Sequence, residues 1–369
     1  MEFKKSKNTP FLVPHPGETL QEELEERGLT QTDFAEIIGL PIRTVNEIIK
    51  GKKSISPKIA SAIGAALSTS PDLWLGMQAD YDISELQKKN KKKEAQIKKK
   101  YELYSLFPIS ELIRRKYLPN KKDVEDLKNK VLLILGIDHI DNFTKKDFAF
   151  LRASQTGNIV ENYLRTWVFL GKNKSTDLTV MPYNAEGLKV FARDIKSYSL
   201  LPVSDGIKKV VEKLNDLGVR IVFLPHFSRT RVDGAATWLS PGKPVIIMSL
   251  RFNRIDNFYF TLLHEIGHIL LHQDSNKSFV DDMNNTNDNK LEKDADMFVM
   301  KMLGIENLLR QLRCRRIDLN TIKRKSDELG MHPGLLIGIL QHERILNYNQ
   351  YRKELTKIRE AIPSNLIMG

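Results

Sequence analysis

Cysteine is nearly missing from this chain. Cys314 is the single one in 369 residues, which excludes an internal disulfide framework and any zinc site built on thiolates. A lone thiol among arginines, with no motif around it, reads as inert. Long apolar runs are missing too. No stretch approaches the ~18 residues that span a bilayer, and no early segment has the charged-then-apolar pattern of a signal peptide. A cytoplasmic chain with no membrane partner is the expectation. Histidine is scarce, at 8 residues, so histidines that recur at ligand spacing carry information.

What is present is charge, unevenly placed. The chain has a formal net charge of +12 and is 41% hydrophobic, enough for real cores and basic enough for polyanionic partners. Its length suggests two or three domains. Residues 1–83 hold 9 basic and 12 acidic side chains, whereas 84–130 hold 15 basic and 7 acidic. The remainder carries +7. The Lys-rich stretch 84–100 reads as a solvated helical linker, with a phosphate-contacting strap as the sharper alternative.

The stretch that organises the chain is Thr261–His272, which contains His264-Glu265-Ile-Gly-His268 in an apolar run of helical character. Residues i and i+4 lie one above the other on a helix, so both imidazoles can aim at one point. Two neutral imidazoles at that spacing suit zinc, and Glu265 is placed to act as general base on a water that the metal activates. The bland alternative is two partly buried histidines on an amphipathic helix. A catalytic zinc site takes three protein ligands, so a third must come from downstream. The polar run Gln273–Asn289 reads as a loop able to gate the site. In the following helix Glu292 and Asp294 compete. Glu292 with Asp296 forms Glu-x-x-x-Asp, in which the first can bind metal while the second orients a ligand histidine; this favours Glu292, with Asp294 as runner-up.

Ahead of this lie short runs rich in β-branched residues, Val219–Leu224 and Pro244–Ser249, with Gly234–Leu239 a weaker third. A small sheet leading into the His264 helix is the layout of zincin peptidases, where an edge strand can hold extended substrate backbone. Residues 101–218 read as helices: 101–117, 121–135, 144–156, 158–171, 184–197 and 205–217. They carry no nucleophile motif, phosphate loop or second metal cluster. Residues 305–369 also read as helical, and His332 and His342, without partners at ligand spacing, read as structural.

The N-terminal region reads differently. Residues 1–14 form an arm, and five short helices follow. Thr30 is a natural N-cap for the second helix. The tight turn Gly39-Leu-Pro41 joins it to a third, Pro41–Lys50, which makes a helix-turn-helix with that third helix as the reader of the major groove. Arg43, Thr44 and Asn46 are the base-reading candidates, Gln31 a phosphate contact, and Lys50, Lys52 and Lys53 flank the backbone. The alternative is a five-helix bundle that binds protein.

The residues His15-Pro-Gly-Glu18-x-Leu20, Leu29-Thr-Gln31, Ala35-Glu-Ile-Ile-Gly39, Asn46–Ser56 and Ser70-Pro-Asp-Leu-Trp74 through Asp82 closely resemble the HigA family of addiction-module antitoxins, within the Xre/Cro-type repressors. The resemblance covers about 70 positions. It implies a repressor that binds operator DNA as a homodimer, and a possible cognate toxin. The second half resembles the ImmA/IrrE family of gluzincin-like zinc metallo-endopeptidases. The matching residues are Ser249-Leu-Arg251, Asp256-x-Phe258-x-Phe260-Thr-Leu-Leu-His-Glu-x-Gly-His268 through His272, and Glu292-x-Asp294-Ala-Asp296-x-Phe298. The chain departs from that family's usual second glutamate, at Asp294, and from its Leu-Met-Pro after the helix, at Leu303-Gly-Ile.

The expected fold is therefore multidomain: an all-α helix-turn-helix domain (1–83), a Lys-rich linker (84–100), a helical intermediate region (101–218) and an α+β zincin-like metallopeptidase domain, mostly helical with a small sheet (219–369). The expected function is a DNA-binding regulator or antitoxin that carries a zinc endopeptidase acting on a repressor-type protein or on itself. The alternative is a non-catalytic antitoxin whose zinc-binding fold is a sensor or dimerisation module. His226, Arg251 and His272 are weak candidates for oxyanion stabilisation.

Overall fold

Capping residues punctuate the helices before any core is considered. His15 accepts the backbone N–H of Gly17 while Glu18 reaches back to the His15 N–H, which starts α1 (Pro16–Glu26). Thr30 and Asp33 form the same reciprocal box at α2 (Gln31–Ile37). Such boxes satisfy amides that a helix start leaves without partners. α3 (Ile42–Ile49) follows, then α4 (Pro57–Leu67), capped by Ser56 with Pro57 in its first turn, and α5 (Pro71–Leu106). The computed structural model describes residues 13–120, 123–144, 149–153, 161–228, 230–272, 288–312, 317–362 and 367. The first twelve residues of the arm, positions 273–287 of the polar run, and Cys314 with its neighbouring arginines lie outside them.

The chain divides into two compact units, residues 1–99 and 100–369. In the first, Leu20, Phe34, Val45, Ile48, Ile63 and Trp74 are fully or almost fully buried. Buried Gln78 of α5 accepts the N–H of Ile55 at 2.9 Å, which ties the segment after α3 into the unit. The Lys-rich stretch is helical throughout, within α5.

The second unit continues with α6 (Ile109–Arg114), α7 (Val124–Leu135), α8 (Ile140–Thr144), β1 (Ala149–Ala153), α9 (Glu161–Ser175), α10 (Ala185–Tyr198) and α11 (Val203–Asp216). Then come β2 (Arg220–Phe223), β3 (Val232–Trp238), β4 (Pro244–Met248), α12 (Ile255–Leu271), α13 (Asp288–Leu303), α14 (Glu306–Leu312), α15 (Leu319–Leu329) and α16 (Pro333–His342). Two expectations fail here. The helix expected over 101–117 is broken: α5 ends at Leu106 and α6 restarts after Pro108, which cannot donate within a helix. The helix expected over 144–156 is a strand in part, β1. A short apolar run fits either state, and pairing with β3 decides it.

The sheet order is β1-β3-β4-β2, with β2 parallel to β4 and the other pairs antiparallel. Both faces of the sheet are covered. Val222, Leu224, Ala235, Val245 and Ile247 share a core with Leu112, Leu127, Val131 and Trp167 of the preceding helices. Ile221, Phe223, Ala236, Ile246 and Met248 share the other with α10 to α13 and α16. Alternate residues of one strand thus enter opposite cores, and β4 is buried along its whole length. No helix among the described residues is long and apolar enough to cross a membrane.

Candidate functional site

α12 is buried along almost its whole length, including Thr261, His264, Glu265 and His268. Its start is fixed by Arg254, which donates to both oxygens of buried Asp256 (3.0 and 2.7 Å) and to Gln341 of α16 at 3.0 Å. Two glycines set how closely neighbours approach. A Cβ on Gly234 of β3 would stand 2.6 Å from Glu265 Oε1 and 2.7 Å from Thr261 Cγ2, so the strand backbone lies directly on the glutamate. A Cβ on Gly267 would stand 3.1 Å from Phe298 Cδ1, so α13 also packs closely against α12.

That second approach carries Glu292 and Asp296 to the histidines. His264 Nε2 and His268 Nε2 lie 3.0 Å apart. Glu292 places one carboxylate oxygen 3.0 Å from the first and the other 3.4 Å from the second. Asp296 Oδ1 lies 2.9 Å from His264 Nδ1. A carboxylate only accepts, so Nδ1 donates to Asp296 and Nε2 presents its lone pair inward. Two imidazole nitrogens and a carboxylate then face one point, an arrangement that needs a shared proton or a cation. Burial pushes His268 down to about 4, against the opposing pull of Glu292, so the ring is neutral at pH 7. Burial acts to raise the Glu292 carboxyl, but the facing imidazole nitrogens of His264 and His268 override it and hold it at about 2. The donor set therefore fits a zinc ion in chemistry and in convergence.

Among the described residues, His264, His268 and Glu292 form the group whose ligand atoms all lie within 4.8 Å of one another. Asp294 stands outside it, near enough to His272 to bias its charge. His272 itself ends α12, with its N–H donated to His268 O. Arg251 donates to the Arg231 carbonyl at 2.8 Å and lies 3.5 Å from Asp233, which engages it in holding the start of β3. His332 accepts the N–H of Gly334 at the start of α16, the same His-Pro-Gly cap as His15. Gly234 escaped the reading of the sequence. Its signal was a glycine inside a β-strand, which marks close backbone approach.

In the first unit, α3 carries Arg43, Thr44 and Asn46. Arg43 is exposed and donates to Glu47 at 2.8 Å. Asn46 donates to Gln31 Oε1 at 3.0 Å, which joins the start of α2 to the middle of α3. Lys53 donates to Thr44 at 3.4 Å, and Lys50 and Lys52 are exposed. Hydrogen bonds thus engage Arg43, Thr44, Asn46, Gln31 and Lys53 in separate pairs on α2, α3 and the segment that follows.

A helix-turn-helix unit followed by a zincin-type unit is the class of protein this geometry defines. Comparison with known proteins makes it more particular. Residues 20–74 match the helix-turn-helix family and residues 214–318 match the IrrE N-terminal-like domain, a peptidase-family domain. Antitoxin HigA-1 of Vibrio cholerae is 35% identical over 82 residues, 22% of this chain and 74% of that protein. Virulence-associated protein A′ of Dichelobacter nodosus is 36% identical over 74 residues, 20% of this chain; the match spans 64% of that relative's own length. Among solved structures, an addiction module antidote protein of the HigA family from Coxiella burnetii is 33% identical, covering 22% of this chain and 91% of that one, with a TM-score of 0.22. Pseudomonas aeruginosa antitoxin HigA, solved with the higBA promoter, is 29% identical, covering 22% and 89%, with a TM-score of 0.22. The chain belongs, through its N-terminal unit, to the HigA-type helix-turn-helix regulators, and it carries an IrrE-like domain in its second unit.

Proposed function

We propose that this chain is an operator-binding regulator of the antitoxin type whose second unit is a zinc-dependent endopeptidase, acting on a repressor-type protein or on the chain itself. The observation that carries the reading is the convergence of His264 Nε2, His268 Nε2 and Glu292 on one point, with Asp296 behind His264 and Glu265 between the two histidines in sequence.

In this reading His264, His268 and Glu292 hold the metal. A zinc ion bound there would polarise a peptide carbonyl and make water acidic enough to attack near neutral pH. Glu265 takes the proton released in that attack and hands it to the departing amine. Gly234 keeps the glutamate pressed against β3, so its carboxylate is positioned before substrate arrives. Asp296 holds the His264 ring in one tautomer.

On the other unit, Arg43 and Asn46 read base edges, Thr44 lies beside them, and Gln31 orients Asn46 while facing the phosphates; Lys50, Lys52 and Lys53 contact the backbone. A homodimer would present two such helices to a palindromic operator. DNA as partner places the protein in the cytoplasm. A cognate toxin fits the same antitoxin-type unit. Residues 1–83, 84–100, 101–218 and 219–369 serve as DNA-binding, linking, supporting and peptidase segments.

The test compares wild type with Glu265→Gln in cells under stress, following cleavage of the chain and of co-produced repressors. Loss of a cleavage product in the variant, with zinc retained, is expected. Identical products would leave the zinc fold as a sensor or dimerisation module.

A further inference from the structure

The strand order puts β1 where an outside strand would have to bind. β3 is the strand that meets the candidate centre, because Gly234 lies against Glu265 and Thr261. On one side β3 pairs with β4. On the other it pairs antiparallel with β1, from Ala149↔Thr237 to Arg152↔Gly234. β1 also lies against α12, the helix of the two histidines. A peptide brought to Glu265 in extended form would use this same edge, pairing through its backbone N–H and C=O groups.

We propose that β1 occupies the outer edge of β3 in cis as an intramolecular competitor of the extended peptide that would pair there. The consequence for cleavage rests on the peptidase reading above; the strand exchange does not. Two features of β1 suit a removable occupant. It is only five residues long and is the terminal strand of the sheet, so one ladder holds it. Its register also shifts between Arg152 and Ala153, opposite Gly234 and Val232. A bulge leaves a residue out of the ladder and turns the backbone. Here the register skips Asp233 of β3, so regular pairing between β1 and β3 is interrupted next to Gly234, the residue that lies against Glu265.

The test uses the full chain with Glu265→Gln, so that binding is read without cleavage. The probe is a fluorescein-labelled synthetic peptide with the sequence of residues 146–155. Successive N–H groups of a strand point to opposite sides, so Phe150→Pro with Leu151→Pro removes whichever donor faces β3. The variant should bind the peptide at least ~10-fold more tightly, because a competitor at roughly millimolar effective concentration has gone. Those amides of Val232–Trp238 that face β1 should lose hydrogen-exchange protection in the absence of peptide, while those that face β4 keep it. A second variant guards against misfolding: Leu151→Cys with Ala235→Cys, at opposed register positions, in a Cys314→Ser background. Its oxidised form should bind no peptide, and reduction should restore wild-type binding. Equal peptide affinity in wild type, proline variant and oxidised lock overturns the proposal. With Glu265 restored and zinc supplied, the proline variant should cleave labelled casein about tenfold faster than wild type. Strand exchange with no casein cleavage in any form supports the edge assignment and removes the peptidase reading.

Discussion

The two units place their candidate site residues in opposite environments. In the first, Arg43, Lys50, Lys52 and Lys53 stand in solvent on a small helical scaffold whose core contains none of them. In the second, His264, Glu265 and His268 are as buried as the aliphatic core around them. The difference teaches where function and stability are coupled. Exposed polar residues are held by weak, screened contacts such as Arg43–Glu47, and losing them costs the fold little. A buried histidine–carboxylate cluster cannot be altered without leaving uncompensated polar groups in the core.

The sharpest break in that comparison is Glu265→Gln. Its rate of proteolysis, followed by gel with casein, should fall ~10²- to 10⁴-fold while zinc content is unchanged, since general acid–base catalysis contributes on that scale. Zinc lost along with activity would instead make Glu265 a structural group. Next in size is Arg43→Ala with Asn46→Ala. Operator binding by anisotropy should weaken by roughly 1–3 kcal/mol per lost base contact, with no change in thermal melting. Equal affinity for operator and scrambled DNA in wild type would remove the recognition role. Chelation should act on one unit alone: the melting transition of residues 100–369 drops by about 2.7 kcal/mol when zinc had been at 100 times its Kd, and that of residues 1–99 stays. Asp296→Asn removes only the outer partner of His264, so calorimetric zinc affinity should fall about 10- to 100-fold. A value within twofold of wild type would show that Asp296 does not orient the ring. Smallest is Gln31→Ala, which loses a single side-chain bond to Asn46 worth ~1 kcal/mol of operator binding. An effect as large as that of Asn46→Ala would give Gln31 a contact of its own.

The helix-turn-helix was legible because its signals are local. Thr30, Gly39, Pro41 and Gly51 mark helix ends within a few residues, and capping is decided by nearest neighbours. His264 and His268 were legible for the same reason, four residues apart on one helix. Glu292 and Asp296 were reachable because they too share a helix face, although 24 residues separate Glu292 from His268. β1 was not legible. Ala149–Ala153 has no decisive period, and its partner strand β3 begins at Val232, far along the chain. The break at Pro108 was a local signal passed over among helical spacing on both sides.

What the sequence by itself determined is local: which side chains lie at ligand spacing, which helix carries the candidate polar face, and where the capped helices start. These depend on contacts within one or two helical turns. The tertiary structure alone decided what surrounds those side chains. It set Gly234 on Glu265 and drew α13 onto Gly267. It spread the helices of 101–218 over both faces of the sheet and laid β1 along β3. Each of these is a packing of distant segments, chosen by burial and by backbone pairing and not by local preference.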